Sequence, residues 1–315
     1  MIKREDIYYD SRDEVSRIHA VCWIPEERPK AIFQLIHGMQ EYAARYDEFA
    51  TYLAGKGYLV VAEDHLGHGL SSKPEDYGYF CEDDAPTVVV RDVHRLKKMV
   101  QEQYPGIPII LMGHSMGSFI LRNYLCRYGT GIQGAIIMST GSMSGFVLQS
   151  GVFMSKFIAA FESEGLHYRS PMMENISFGS YNKRIANPKT KLDWLSANEE
   201  NVQEYIADKM CGVPFTLNGY ITLFRLIKGA QKQKNLDKMP KDLPILITGG
   251  ADDPVGHYGK DLTSLFGKYS KMHIQDVTLK MYSGLRHEIL NESNKLEIYA
   301  DVYNWTKAVI MKYKK

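Results

Sequence analysis

Cysteine is scarce: Cys22, Cys81, Cys126 and Cys211 are four residues scattered through 315 positions. No two form a C-x-x-C pair, so a zinc ribbon or redox motif is unsupported and four free, mostly buried thiols are expected. An excess of either charge is missing as well. The 38 Lys and Arg balance 37 Asp and Glu to a formal +1, which removes the compositional ground for a nucleic-acid binder or a polybasic membrane anchor. No run of about 18 apolar residues is present to span a membrane. The N-terminal Met-Ile-Lys-Arg-Glu-Asp lacks the apolar core of a signal peptide. These absences predict a cytoplasmic protein with a small-molecule partner, without nucleic acid and without stable membrane insertion. Internal repeats, low-complexity tracts and long Gly/Ser or Pro-rich linkers are lacking too.

What remains is an ordinary globular composition, 44% hydrophobic and 24% charged, enough to bury a large core. The first third alternates short β-rich runs with helical spacing. Strands are expected at Ser16–Ile24, Ala31–Ile36, Tyr58–Ala62, Ile107–Met112 and Ile132–Met138. Helices are expected at Tyr42–Lys56, from Asp84 to about Tyr104, and at Ser115–Tyr128. That alternation predicts an α/β protein with a mostly parallel central sheet and helices on both faces. It stops near Gly141 and resumes with a strand at Ile245–Thr248, a helix at Asp261–Tyr269, a strand at Val277–Tyr282 and a helix at Asn294–Met311. A hundred residues without strands are too many for a loop. The expected division is a core of residues 1–140 and 241–315, with residues 141–240 inserted as a helical cap.

Gly113-His114-Ser115-Met116-Gly117 matches G-x-S-x-G and lies between a predicted strand and a predicted helix. In that context the glycines let Ser115 occupy a strained turn with its hydroxyl above the sheet, as a nucleophile requires. A serine needs a base, and the base needs an orienting acid. Of ten histidines, His273 and His287 are weighed as the base because both follow the resumed strand pattern. His273 precedes a strand and suits the surface; His287 follows the last strand and is the candidate base. The acid is expected after Ile245–Thr248, where Asp252 and Asp253 are adjacent; one orients the base and the other shapes the turn. His37-Gly38-Met39 follows the Ala31–Ile36 strand. There the Met39 backbone N–H, with that of Met116, is the candidate oxyanion hole. Asp64-His65-Leu66-Gly67-His68-Gly69 lacks a third cluster with ligand spacing and suits a Gly-rich turn better than a metal site. No metal and no cofactor is implied.

Together with Gln40-Glu41, Arg45-Tyr46, Asp253-Pro254-Val255-Gly256 and Arg286-His287-Glu288, these motifs resemble an α/β-hydrolase, specifically the bacterial form of the monoacylglycerol lipase, lysophospholipase and serine aminopeptidase-like branch. The resemblance covers essentially the whole chain, with the motifs in order. It implies Ser115 as nucleophile, His287 as base, Met39 and Met116 as oxyanion amides, and Asp253 rather than Asp252 as the acid. The family's frequent H-G-x-G-E reads His37-Gly38-Met39-Gln40-Glu41 here, a departure at Gln40 that bears on substrate shape.

Within the insertion, Phe153, Phe157 and Phe161 recur every four residues as a helical stripe, preceded by Phe146. Such a stripe packs a cap onto its core, lines an acyl slot, or rests at a lipid interface. The candidate substrate contacts are His37, Gly38, His114, Phe146, Phe153 and Phe157. Three functions compete: a serine esterase acting on monoacylglycerols, lysophospholipids or short acyl esters; an aminopeptidase or amidase on the same triad; and a non-catalytic binding protein. Intact Ser115, Asp253 and His287 disfavour the third, and a dehalogenase or epoxide hydrolase would need Asp at position 115. An aminopeptidase needs acids to hold an ammonium group, for which Glu162, Glu164, Glu199 and Glu200 are the candidates.

Overall fold

The computed structural model describes residues 2–313. Its strands are β1 (Lys3–Asp10), β2 (Arg17–Ile24), β3 (Ala31–Ile36), β4 (Tyr58–Glu63), β5 (Ile109–His114), β6 (Gly134–Met138), β7 (Ile245–Gly250) and β8 (Val277–Tyr282). The helices are α1 (Asp47–Gly55), α2 (Ala85–Gln103), α3 (Met116–Tyr128), α4 (Gly145–Ala159), α5 (Pro171–Phe178), α6 (Glu199–Ala207), α7 (Leu217–Gln231), α8 (Gln233–Leu236), α9 (Lys260–Lys271) and α10 (Lys295–Tyr313).

The strands form one sheet in the order β1-β2-β4-β3-β5-β6-β7-β8. β1, β2 and β4 pair antiparallel, and every pairing from β4 through β3 to β8 is parallel. Every residue of β3, β4, β5, β6 and β7 is buried, as parallel strands covered on both faces require. Alternate residues serve opposite layers. Ile32, Leu59, Ile109 and Leu111 pack toward α2, α3 and α9, whereas Phe33, Val60, Ile110 and Met112 pack toward α1 and α10.

Two elements depart from the hydrophobic pattern. β1 begins Lys-Arg-Glu-Asp and is half solvated; it exists because it pairs along its full length with β2, from Lys3↔Ile24 to Asp10↔Arg17. The expected helix at 42–56 starts as a 3₁₀ turn, Ala43–Tyr46, and becomes α-helical only at Asp47. The Ala43 N–H is held by an Asp64 carboxylate oxygen at 2.8 Å instead of a helical carbonyl. All four cysteines are free and buried.

No strand lies between β6 and β7; that stretch holds α4 to α8 and short 3₁₀ turns. α7 carries Leu217, Tyr220, Phe224 and Ile227 into the core layer that also contains α3. A separate cluster of Trp194, Leu195, Tyr205 and Cys211 packs around Tyr42 and Val255. The segment between β6 and β7 thus packs through two apolar clusters, one shared with α3 and one with Tyr42 and Val255. Among the described residues no helix is long and apolar enough to cross a membrane.

Candidate active site

Ser115 is the single residue between β5 and α3, at φ +53° and ψ −120°. A non-glycine residue there costs on the order of 1–3 kcal/mol and persists only when its surroundings fix it. They do so from several sides. The Ser115 N–H donates to the Met138 carbonyl at 3.1 Å. Its own carbonyl accepts from the Ser118 hydroxyl at 2.5 Å. One turn of α3 presses against the end of β3, where a methyl on Gly117 would lie 2.0 Å from the Ile36 carbonyl oxygen. Only glycine permits that approach, and it puts α3's first amides beside the loop leaving β3.

That loop is His37–Gln40. A methyl on Gly38 would come within 3.1 Å of Ser115 Cβ and 2.5 Å of Glu41 Oε1, so the loop backbone lies directly on the serine. Glu41 Oε1 accepts from the Gly38 N–H at 2.5 Å. Neither the Met39 nor the Met116 backbone N–H has a protein acceptor among the described residues. His37, expected to touch substrate, is fully buried behind the loop. Its Nδ1 is 2.8 Å from the Gly38 carbonyl and its Nε2 accepts from the His65 N–H at 3.0 Å, so it braces the turn instead. Burial, with His65 and His68 beside it, holds the His37 imidazole well below its usual pKa and so neutral. Gly38 is likewise part of the brace; Met39 and Gln40 form the wall.

The loops after β7 and β8 emerge side by side because Gly250 pairs with Tyr282. The backbone joins them further, with Ala251 N–H on the Tyr282 carbonyl at 2.8 Å and Asp252 N–H on the Leu285 carbonyl at 2.9 Å. Asp252 points to solvent, whereas Asp253 is 1% exposed and its Oδ2 lies 2.9 Å from His287 Nδ1. Asp253 Oδ1 accepts from the Val255 N–H at 2.9 Å, which fixes the carboxylate. His287 is 3% exposed, its carbonyl takes the Ser139 hydroxyl at 2.7 Å, and the Trp194 ring flanks it at 5.3 Å. His273 is an exposed residue in the turn between α9 and β8.

A buried polar network beneath these groups was not legible from spacing. His114 Nδ1 lies 3.2 Å from Glu41 Oε1 and 2.9 Å from Tyr46 Oη, and its Nε2 is 3.3 Å from the His287 carbonyl. Arg45 donates to Glu288 at 2.8 Å, and Asn201 donates to the same oxygen at 2.7 Å. Burial alone would raise the Glu41 carboxyl, but His114, Arg45 and Tyr46 hold it below the usual range. Burial would lower His114; Glu41 and Glu288 outweigh it and raise it. Arg286 donates to the Asp193 and Ser196 carbonyls at 2.7 and 2.9 Å, locking the insertion beside His287. The available signal was that each of these charges sits inside or next to a motif.

Ser115, His287, Met39, Met116 and His114 all line one cavity of about 530 Å³. Its wall includes the apolar side chains of Phe119, Met143, Val147, Leu223 and Ile227 and the polar Gln40, Glu41, Tyr205 and Glu288. Phe146, Phe153 and Phe157 are absent from it, being 81%, 68% and 53% exposed. Helical phase explains the correction. α4 buries Leu148 and Ser155 and packs Gly151 on Phe224, and this turns the phenylalanine stripe to the opposite side. Among the described residues no group of three or more His, Cys, Asp or Glu is arranged to hold a metal ion.

Comparison with known proteins agrees with this architecture. Monoglyceride lipase of Rattus norvegicus is 30% identical over 279 residues, spanning 86% of this chain and 79% of that protein. Monoacylglycerol lipase of Mycolicibacterium smegmatis is 27% identical over 300 residues, spanning 92% of each. A thermostable carboxyl esterase from Bacillus coagulans, solved with glycerol, superposes with a TM-score of 0.88 at 26% identity, covering 98% of this chain and all of that one. The serine aminopeptidase S33 family matches residues 27–294. With the eight-stranded, mostly parallel sheet, these matches make the chain a member of the serine aminopeptidase S33 family, a hydrolase of the α/β-hydrolase fold in its monoacylglycerol lipase-like branch.

Proposed function

We propose that this protein is a serine hydrolase that cleaves carboxylic esters of the monoacylglycerol or lysophospholipid type through an acyl-enzyme. The observation that carries the reading is one cavity walled by Ser115, His287 and the two residues with unpartnered amides, whose apolar side chains suit an acyl chain. The relatives named for monoacylglycerol and ester hydrolysis support it.

In this mechanism Asp253 holds the Nδ1–H of His287, leaving Nε2 to take the Ser115 proton as Oγ attacks the ester carbonyl. The developing oxyanion accepts from the Met39 and Met116 N–H groups, each worth about 3 kcal/mol at the transition state. His287 then returns the proton to the departing alcohol, and water repeats the sequence on the acyl-enzyme. Residues 1–140 and 241–315 act as the core and residues 141–240 as the cap. The cap brings Met143, Val147, Leu223 and Ile227 to the cavity wall. The outward phenylalanine stripe of α4 serves as a lipid-interface contact rather than a substrate slot.

Nothing in the cavity favours peptide substrates. Glu162, Glu164, Glu199 and Glu200 are exposed and off the cavity wall. The carboxylates that do line it, Glu41 and Glu288, are engaged by His114 and Arg45. A panel of p-nitrophenyl esters from acetyl to palmitoyl, run beside monoacylglycerol, lysophosphatidylcholine and an aminoacyl-arylamide, tests the reading. Esters should turn over and Ser115→Ala should abolish turnover, with a single fluorophosphonate adduct on Ser115. A preference for the arylamide, or labelling that persists in Ser115→Ala, would overturn it.

A further inference from the structure

His114 is the last residue of β5, immediately before Ser115, and it is buried. Its surroundings call for a hydrogen on both ring nitrogens. Nε2 lies 3.3 Å from the His287 backbone carbonyl, which can only accept. Nδ1 lies 2.9 Å from Tyr46 Oη and 3.2 Å from Glu41 Oε1. The Tyr46 hydroxyl has a single hydrogen and donates it to Glu41 Oε1 at 2.8 Å, so Oη is left as an acceptor toward Nδ1. Were that hydrogen turned to Nδ1 instead, Glu41 Oε1 would face Oη and Nδ1 with no hydrogen between them. A neutral imidazole carries one N–H and can serve one side of the ring; the imidazolium serves both.

The charges around the ring agree. Glu41 and Glu288, two buried carboxylates, share one guanidinium: Arg45 lies 3.7 Å from Glu41 Oε2 and 2.8 Å from Glu288 Oε2. A charged His114 completes that balance, as buried charges require. The other titratable groups beside it are His287, whose ring lies at 5.0 Å and whose Nδ1 faces Asp253, and His37, which is held neutral. Burial opposes a charge on His114, but Glu41 and Glu288 outweigh it and raise its pKa. The two ends of this contact chain lie in catalytic segments. Glu41 Oε1 also accepts the Gly38 N–H at 2.5 Å, one residue before Met39, and the His287 carbonyl belongs to the candidate base itself. We propose that His114 is a positioning residue that works as an imidazolium, tying Glu41 of the oxyanion loop through Nδ1–H to the backbone of His287 through Nε2–H. One cation then keeps the Met39 amide, Ser115 and the base in a common frame. This role rests on the ester-hydrolase reading above; the charge of His114 does not.

The test reads charge and turnover separately. In protein carrying 15N-histidine, the His114 ring nitrogens are followed by NMR from about pH 8 upward, where an ordinary histidine is neutral. The signal is identified by its loss in His114→Gln, or through its own backbone in the wild type if that variant does not fold. At about pH 8 both nitrogens are expected to be protonated in the wild type. Glu41→Gln keeps the shape but removes the charge, so the ring should lose its second proton at lower pH. With p-nitrophenyl butyrate at about pH 8, kcat should fall at least about tenfold in Glu41→Gln and in His114→Gln, the size of one hydrogen bond, with KM within about threefold of wild type. Thermal melting of each variant separates loss of fold from loss of position. The wild type gives a reading that needs no substitution: kcat should fall as pH rises through the His114 midpoint seen by NMR. A neutral His114 at about pH 8, a midpoint unmoved in Glu41→Gln, a wild-type kcat constant across the midpoint, or a loss in the variants carried by KM alone overturns the inference. A wild type that does not hydrolyse the ester overturns the ester-hydrolase reading and the positioning role with it, whatever the charge of His114.

Discussion

Asp252 and Asp253 are neighbours in sequence with opposite surroundings. Asp253 is buried with one carboxylate oxygen on His287 Nδ1 and the other on the Val255 N–H; Asp252 faces water. Asp253→Asn should therefore lower kcat by about four orders of magnitude, because an amide facing Nδ1 favours the wrong imidazole tautomer. Asp252→Asn should change stability by no more than about 0.5 kcal/mol and leave kcat near wild type. Steady-state kinetics with urea unfolding of both variants checks the pair, and a larger kcat loss in Asp252→Asn would reverse the assignment. Residue by residue, the places of Ser115 after β5 and of His287 after β8 were legible, because each lies in a motif next to an apolar strand run. The sequence was not legible where orientation decides. Composition left the two aspartates open until the family resemblance favoured one. Helical period found the phenylalanine stripe but not the direction it faces, since that depends on what Leu148 and Ser155 pack against. His37 looked like a substrate contact by adjacency and proves to be a brace, because its neighbours His65 and Gly38 are brought to it only by folding.

At the scale of elements, the buried parallel strands were readable from unbroken apolar runs, whereas β1 was hidden because an edge strand needs no such run. Two predictions belong here. The α3–β3 approach leaves no room at Gly117, so Gly117→Ala should cost at least about 2 kcal/mol as α3 moves off β3, and should lower activity as Ser115 shifts. Urea midpoints measure the first effect, and an unchanged midpoint would mean that the contact is slack. The second concerns three elements that meet at buried acids: Glu63 ends β4, Asp92 lies on α2, and Tyr9 of β1 hydrogen-bonds Glu63. Burial, with Asp64 nearby, pushes the Glu63 carboxyl up to about 8 against the opposing Tyr9 hydrogen bond. Burial and then Glu63 push Asp92 up to about 7. Because both folded values lie above the unfolded ones, the native state binds more protons than the unfolded chain. Their contribution is complete below about pH 4 and is lost as pH rises through about 7 to 8. Stability should fall by a few kcal/mol between pH 6 and pH 9. In Glu63→Gln, where no charge can form, the fall should be clearly smaller; equal slopes in urea unfolding across that range would show that the two carboxyls are not responsible.

For the molecule as a whole, a formal charge of +1 leaves little net electrostatic attraction to an anionic surface, so an association with lipid would draw chiefly on apolar area. One face offers it. Phe146, Phe153 and Phe157 on α4, and Phe161 just beyond its end, are 81%, 68%, 53% and 76% exposed on one stripe. The rings of Phe153, Phe157 and Phe161 follow one another at 6.2 and 5.0 Å, a continuous aromatic strip. Val147 of the same helix lines the cavity that holds Ser115, so the strip and that cavity share one helix. This geometry suits shallow contact with a bilayer interface rather than insertion. The protein should co-sediment with uncharged phosphatidylcholine vesicles, and the bound fraction should be insensitive to salt between 50 mM and 500 mM because screening acts only on charge, with a Debye length of about 8 Å already at physiological ionic strength. Phe153→Ser, Phe157→Ser and Phe161→Ser combined should abolish that binding and slow hydrolysis of monoacylglycerol carried in vesicles. Hydrolysis of soluble p-nitrophenyl butyrate should persist, because none of the three side chains reaches the cavity. Equal sedimentation of wild type and triple variant would remove the strip from lipid contact. A wild type that stays in the supernatant and elutes as a dimer, while the variant elutes as a monomer, would instead assign the strip to a second copy of the chain.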